Sequence, residues 1–180
     1  MLTKAADAAG RVVGKTVASV AARVLPAGPH DPIEMLERDH RRFEELFEQG
    51  EKTTARAGKK RTALLGTLKA ALEMHELVEE KVFYPALKPH RDAREIVLEG
   101  YQEHHVADVL VSELARLAPD DERWGAKFKV LKENIEHHIE EEEGDMFKTA
   151  RSVLPRERLE ALGIQMEEMK AAARKKRKSV

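Results

Sequence analysis

Residues 65–86 read LGTLKAALEMHELVEEKVFYPA, and an apolar stripe follows this stretch at helical spacing. The residues that recur in steps of three and four, and so share one helix face, are Leu65, Leu68, Leu72, His75, Glu79, Val82 and Ala86. His75 and Glu79 belong to this stripe and lie one helical turn apart. The stretch therefore predicts a helix whose buried seam contains a histidine and a carboxylate.

The same pattern returns closer to the end of the chain. Its second stripe consists of Trp124, Phe128, Leu131, Ile135, His138, Glu142 and Met146. The segment His138-Ile-Glu-Glu-Glu142 aligns without a gap with His75-Glu-Leu-Val-Glu79, and the alignment favours Glu142 over Glu143 as the inward carboxylate. This repeat predicts two similar helical hairpins.

Two further stripes supply the partner helix of each hairpin. The first consists of Leu36, His40, Phe43 and Phe47. The second consists of Val97, Tyr101, His104, Val111 and Leu114. His105 lies one step off the second stripe. Each of the four predicted helices therefore contributes one inward histidine.

Capping residues and prolines predict where the helices begin and end. Asp31 is an N-cap candidate, with Pro32 at the first helical position and Glu34 three residues after the cap. Pro85 should end the second helix at Tyr84, because proline lacks the N–H that the helix needs. The expected helices cover about residues 32–57, 59–84, 92–118 and 122–151, with a weaker fifth helix at about 156–173.

We therefore expect an all-α protein, an antiparallel up-down four-helix bundle over residues 30–152. An Ala/Val-rich extension at 1–29 precedes it, and a C-terminal helix with a basic, solvated tail at 153–180 follows it. The extension is interpreted as a flexible arm or a helix packed on the bundle. Peripheral membrane contact by this segment is the weaker alternative.

Composition excludes several classes of site and partner. The 180 residues contain no cysteine, so thiolate zinc sites, cysteine-ligated iron–sulfur clusters and disulfides are excluded. A formal net charge of -1 gives no global attraction to nucleic acid, which we do not expect as a partner. The longest apolar stretch, 12–25, contains two basic residues and is too short to span a bilayer. We expect a soluble, cytoplasmic protein.

The inward histidines and carboxylates predict a metal site. Burying two ionised carboxylates without a positive partner costs several kcal/mol, and the two would repel each other. Four neutral imidazoles and two carboxylates from four helices form a mixed nitrogen and oxygen ligand set that suits iron, manganese or zinc. Two carboxylates indicate a bridged pair of ions.

Four motifs together resemble the hemerythrin-like HHE cation-binding domain over about residues 30–150. They are Asp39-His40, His75-x-x-x-Glu79-Glu80 followed by Phe83-Tyr84-Pro85, Glu103-His104-His105, and His138-x-x-x-Glu142-Glu143. The resemblance implies an up-down four-helix bundle that holds a non-heme centre of two Fe ions, with oxo or hydroxo and carboxylate bridges. It makes His40, His75, His104 and His138 terminal ligands, and Glu79 and Glu142 bridging ligands.

The chain departs from the oxygen-carrying members of that family. Those proteins place two histidines four residues apart on the third helix, whereas here Gly100 and Asp108 flank His104 at that spacing. They also space the last histidine and carboxylate five apart, which would select Glu143. His105 and Tyr101 are further candidate ligands, and Tyr101 could alternatively be a packed core residue.

The departures favour the broader family over a reversible oxygen carrier. We expect a di-iron protein that binds or reacts with O2, peroxide or NO in oxidative or nitrosative stress defence or sensing. An enzymatic version, a di-iron oxidase or peroxide-reactive oxidoreductase, needs an electron donor that the sequence does not name. The alternative is an iron-responsive interaction module without turnover, in which metal occupancy exposes or hides the terminal segments. Manganese or zinc in place of iron stays open, because the ligand set accepts all three.

Overall fold

The structure is a computed structural model that describes residues 30–178. The expected extension at 1–29, including its possible membrane contact, lies outside the described residues. Within residues 30–178 the chain is helical and contains no strand. No helix in this range is long and apolar enough to cross a membrane.

Seven α-helices form four arms and one additional helix. Arm 1 is α1 (Pro32–Glu51) and arm 3 is α4 (Arg91–Arg116). Arm 2 is α2 (Gly58–Val78), a π-helical turn (Glu79–Phe83) and α3 (Tyr84–Leu87). Arm 4 is α5 (Arg123–Glu141), a second π-helical turn (Glu142–Met146) and α6 (Phe147–Val153). The additional helix is α7 (Arg156–Lys178). Each arm packs beside the next and arm 4 packs beside arm 1, which closes the four-helix bundle.

The start of arm 1 is confirmed and its end is corrected. The Asp31 carboxylate accepts the backbone N–H groups of Ile33 at 2.9 Å and Glu34 at 3.3 Å, as an N-cap does. Helix α1 ends at Glu51 rather than near residue 57. The Thr53 N–H and hydroxyl both donate to the Gly50 carbonyl, which satisfies it in a turn, and a short 3₁₀ turn follows at Ala55–Ala57.

The prediction that Pro85 ends the second helix was wrong, because arm 2 continues through Pro85 to Leu87. In the first π-helical turn the Tyr84 N–H donates to the Glu79 carbonyl, five residues earlier. By the same spacing, the missing N–H of Pro85 leaves the Glu80 carbonyl without a backbone donor. The Tyr101 hydroxyl donates to that carbonyl at 3.4 Å. The wide turn thus accommodates a proline that an α-helix would not.

The second π-helical turn occupies the equivalent place in arm 4. There the Phe147 N–H donates to the Glu142 carbonyl. Each π-helical turn begins at the glutamate that the repeat aligns, Glu79 in one arm and Glu142 in the other. The two hairpins therefore share a local backbone feature as well as a sequence pattern.

Two hydrophobic clusters fill the bundle on either side of the inward histidines. One contains Phe43, Phe47, Leu68, Phe128 and Leu131. The other contains Leu36, Phe83, Val97 and Phe147 from the arms, together with Leu159, Leu162 and Met166 of α7. Helix α7 is therefore part of the core.

The basic tail was expected to be a solvated terminus, and residues 174–177 are indeed exposed, but the segment is helical and continues α7. Arg177 donates to the Ala70 carbonyl at 3.2 Å and pairs with the Glu73 carboxylate, so the end of the helix is fastened to α2.

Candidate metal centre

Six side chains from the four arms converge between the two hydrophobic clusters, each with 3% or less of its surface exposed. They are His40 on α1, His75 on α2, Glu79 in the first π-helical turn, His104 on α4, His138 on α5 and Glu142 in the second π-helical turn. These are the six principal residues that the sequence pattern predicted to face inward.

Four of the six form a first group of potential ligands, position A: His40, His75, Glu79 and Glu142. Their nearest donor atoms all lie within 4.8 Å of one another. His40 Nε2 is 3.3 Å from Glu142 Oε2, and His75 Nε2 is 3.1 Å from Glu79 Oε2. Position A therefore offers two imidazoles and two carboxylates to one cation.

A second group, position B, consists of Glu79, His104 and His138. His104 Nε2 lies 3.2 Å from Glu79 Oε2, the same oxygen that faces His75 in position A. His138 Nε2 lies 3.5 Å from Glu142 Oε2. Each glutamate thus faces a histidine from each position, in both cases through its Oε2 atom.

The charges of this cluster are only partly balanced among its own members. Burial acts to lower the pKa of His40 and His138, but Glu142 raises both. Within the described residues, no hydrogen bond reaches either oxygen of Glu79, Oε2 of Glu142 or Nε2 of His138. Burial, reinforced by the charge of Glu142, raises the pKa of Glu79 well above its usual range. Burial also lowers the pKa of His75 to about 3, so this imidazole is neutral, as a ligand must be. Buried polar atoms without partners are rare in proteins, and cations placed at positions A and B would satisfy them.

A second layer of four carboxylates surrounds the histidines. Each of the four histidines directs its Nε2 inward and its Nδ1 to an acidic side chain. A carboxylate can only accept a hydrogen bond, so we assign the histidine proton to Nδ1. The pairs are His40–Glu143 at 2.8 Å, His75–Asp39 at 3.3 Å, His104–Glu80 at 3.2 Å and His138–Glu103 at 2.8 Å. We call Asp39, Glu80, Glu103 and Glu143 the outer ring.

The outer ring closes around the bundle. Each member is adjacent in sequence to one of the six inner residues, and each bonds to the histidine of the next arm. Asp39 of arm 1 bonds to arm 2, Glu80 of arm 2 to arm 3, Glu103 of arm 3 to arm 4, and Glu143 of arm 4 to arm 1. Such partners fix the orientation of a histidine and increase its basicity as a metal ligand.

For one member of the outer ring, Asp39, the groups that set its pKa can be named. Burial acts to raise the pKa of Asp39, but the hydrogen bond from His75 and the charges of His75 and Lys170 lower it to about 2. It is therefore a carboxylate at neutral pH, as an acceptor for an imidazole N–H should be.

The alternative ligands fall outside positions A and B. Glu143 is a member of the outer ring, so the structure brings Glu142 rather than Glu143 into the inner cluster. His105 is exposed on α4. The Tyr101 hydroxyl is used by the Glu80 carbonyl. None of these three side chains belongs to either group of potential ligands.

Sequence reasoning missed the other tyrosine. The fully buried Tyr84 donates its hydroxyl to Glu142 Oε1 at 2.9 Å, and the Tyr84 hydroxyl oxygen lies 3.5 Å from His104 Nε2. Gly100 makes room for it, because a Cβ at this position would lie 2.6 Å from the hydroxyl oxygen. Gly100 is one of the two positions, with Asp108, at which the spacing of the oxygen carriers would place another histidine. That glycine was the available signal, but the expected helix end at Tyr84 concealed it.

A third group of metal-binding residue types lies near the surface. His137 Nε2 is 3.3 Å from Glu141 Oε1 and 3.6 Å from Glu103 Oε1. His137 is exposed, and Glu103 already accepts from His138. These contacts place His137 beside the outer ring.

Comparison with known proteins agrees with the geometry. Residues 31–150 match the Hemerythrin HHE cation binding domain family. The crystal structure of a hemerythrin HHE cation binding domain-containing protein from Mycobacterium kansasii is similar, with a TM-score of 0.69 and 25% sequence identity. The similarity covers 81% of this chain and 91% of that one. No curated protein matches the sequence. The family match spans most of the chain and all six inner residues, and the chain therefore belongs to the hemerythrin HHE cation-binding domain family.

Proposed function

We propose that positions A and B each hold an iron ion, and that the protein binds or reacts with O2, peroxide or NO in oxidative or nitrosative stress defence or sensing. The observation that carries this proposal is the position of Glu79. Its two buried oxygens have no hydrogen bond within the described residues, and it belongs to both groups of ligands. Cations on both sides of this carboxylate explain why it is buried.

The choice of iron rests on the donor set and on the family. Four imidazoles and two carboxylates bind iron, manganese or zinc, and bundles with inward carboxylates and histidines are a common framework for paired iron ions. When bound, two adjacent iron ions supply reversible one-electron changes and coordination positions for a small molecule.

The residues around position B support a role there for the oxidant. Position B has three potential ligands, whereas position A has four. Tyr84 lies beside it, with its ring stacked on His104 at a centroid distance of 5.5 Å and its hydroxyl within 3.5 Å of His104 Nε2. We infer that this O–H, which donates to Glu142 Oε1 in the structure, turns to donate to a small oxidant held beside His104.

The size of the oxidant is limited by the packing around the site. Phe147 stacks on His40 at a centroid distance of 5.8 Å, and Phe43 contacts His75 edge-on at 5.0 Å. Both phenylalanines are buried, and the two hydrophobic clusters close the bundle on either side of the six inner residues. This packing excludes bulk water and supports molecules of two to four atoms as reactants.

An iron-responsive interaction module is the second candidate, and one contact favours it. Lys170 of α7 pairs with Asp39, which bonds to His75. A terminal helix is thereby connected to the metal centre through one carboxylate, and this connection would transmit metal occupancy without turnover.

Metal analysis joined to spectroscopy tests the proposal. The full chain is loaded with Fe(II) without air, its metal content is measured, and absorption is recorded before and after O2, peroxide or NO. We expect about two irons per chain and new near-ultraviolet bands after oxidation. Repeated consumption of peroxide with an added reductant supports the enzyme, and a single oxidation event supports the sensor. One zinc per chain, or no metal, would contradict the proposal.

A matched pair of variants ties the signal to the centre. Glu79→Gln removes the shared carboxylate and should abolish binding of the second iron. Glu99→Gln changes an exposed residue on α4 and should leave the iron content unchanged.

A further inference from the structure

Helix α7 brings one buried cation to the edge of the metal centre. Lys170 is only 7% exposed, which is rare for a lysine because burying an unpaired ammonium group is costly. Its Nζ donates to Oδ2 of Asp39, an outer-ring carboxylate on α1. The two hydrophobic neighbours of this contact on α7, Met166 and Met169, pack in the core cluster that also contains arm 1.

The oxygen that accepts from Lys170 also accepts from a metal ligand. Asp39 Oδ2 receives His75 Nδ1–H at 3.3 Å, which is the longest of the four hydrogen bonds in the outer ring. An oxygen that already binds an ammonium group is a weaker acceptor for a second donor. His75 therefore has a weaker partner than His40 or His138, whose bonds are 2.8 Å long.

The cations near other members of the outer ring are different in kind. Arg41 pairs with Glu143, but its side chain is 53% exposed. His137 lies 3.6 Å from Glu103, and its side chain is 60% exposed. Solvent screens such charges, whereas the ammonium of Lys170 acts at low dielectric. Lys170 is therefore the neighbour with the stronger influence on its carboxylate.

We propose that Lys170 is a positioning residue that weakens His75 as a metal ligand by sharing the Asp39 carboxylate. Without the ammonium group, Asp39 serves His75 alone, and the stronger Nδ1–H bond makes Nε2 a better donor to the metal. Loss of the ammonium also removes a positive charge that repels a cation in position A. Both effects have the same sign, so the lysine reduces the cation affinity of the centre.

The coupling is reciprocal. If the ion pair between Lys170 and Asp39 lowers the affinity of the centre for a cation, a bound cation lowers the equilibrium constant for forming that ion pair by the same factor. The packing of α7 on arm 1 then responds to the occupancy of the centre. The inference rests on the proposed metal centre, but it requires neither iron nor a reaction with an oxidant.

Titration of the metal-free full-length chain with Co(II) tests the inference, with binding followed by visible absorption. We expect Lys170→Met to bind Co(II) about threefold to tenfold more tightly than the wild type, somewhat less than the effect of removing a direct partner of a ligand. Lys170→Arg keeps the charge and should bind like the wild type. Arg174→Met removes a cation at an exposed position of α7 and should also have no effect.

A second background separates positioning from a general effect of charge or folding. In Asp39→Asn the shared carboxylate is gone, so adding Lys170→Met should produce a clearly smaller gain in Co(II) affinity, the part that comes from removing the positive charge alone. Equal or weaker binding by Lys170→Met, or the same gain in both backgrounds, would overturn the inference. Circular dichroism of each metal-free variant establishes that it is folded. A wild-type chain that binds no Co(II) overturns the metal centre itself. A wild-type chain that binds Co(II) but does not react with oxidants overturns only the proposed reaction.

Discussion

Tyr84 and Gly100 are complementary across the interface of arms 2 and 3. A Cβ on residue 100 would lie only 2.6 Å from the Tyr84 hydroxyl oxygen. The same hydroxyl donates a hydrogen bond to Glu142 Oε1 at 2.9 Å. A residue without a side chain on one helix thus admits a polar group from another helix to the metal centre. The pair occupies the space that a histidine at position 100 would need.

Tyr84→Phe should lower the rate of the reaction with peroxide while leaving the iron content unchanged. The variant loses the donor to Glu142 but keeps the ring that stacks on His104. Leaving a buried carboxylate oxygen without its partner should also destabilise the metal-free protein by about 1–3 kcal/mol. Stopped-flow absorption and urea denaturation measure the two effects. Tyr101→Phe is the control for the rate of the reaction with peroxide. An equal loss of rate in both variants would contradict a special role of Tyr84.

Gly100→Ala should destabilise the protein by about 1–3 kcal/mol, because the added methyl group overlaps the Tyr84 hydroxyl. Gly66→Ala places the same methyl group in open space on α2 and should instead stabilise by about 0.5–1 kcal/mol through helix propensity. Urea denaturation gives both values. The cost of Gly100→Ala should shrink in a Tyr84→Phe background, and an unchanged cost there would contradict the stated clash.

Glu79 should make the metal-free protein less stable as pH rises. Its raised pKa means that the folded state holds this proton more tightly than the unfolded state. The associated stability is complete below the usual pKa of glutamate and is lost as pH rises towards the folded pKa. Denaturation of wild type and Glu79→Gln from about pH 5 to about pH 8 measures the difference. The wild type should lose stability relative to the variant over this range, and parallel curves would show that Glu79 does not titrate there.

Glu103→Ala should weaken metal binding by about 10- to 100-fold, because it removes the carboxylate that orients His138. Glu99→Ala is the control, one turn away on the exposed face of the same helix. Competition with a chromophoric chelator measures both affinities. If the two variants bind metal equally, the outer ring has no influence on the ligands.

The helices were predictable because their apolar residues recur at a period close to 3.6 over long stretches. The predictions failed where tertiary contacts override the conformational preference of the local sequence. Pro85 continues a helix because a π-helical turn and the Tyr101 hydroxyl satisfy the affected backbone. The charged end of α7 is helical, and its Arg177 contacts α2. Neither contact has a signature in the local sequence.

The inner residues of the site could be found from the same periodicity, whereas the outer ring could not. Helical spacing identified His75 and Glu79 because they interrupt an apolar stripe. The outer-ring residues stand in the motifs that resemble the family, but they are half-exposed acidic side chains in a chain with 36% charged residues, and no helical pattern marks Glu80 or Glu143 as the partner of a histidine. Their partners lie on other arms, and only the packing of the arms reveals them.

The closed outer ring also bears on how such a chain could arise by duplication. Asp39 and Glu103 support histidines within their own hairpins, whereas Glu80 and Glu143 reach into the opposite hairpin. A single hairpin would form one of these carboxylate–histidine hydrogen bonds, and its other carboxylate would have no histidine to accept from. Two identical hairpins related by a twofold axis would close the same ring of four contacts. The arrangement is thus compatible with an ancestral symmetric dimer of hairpins, in which fusion of the two copies would preserve every ligand partner.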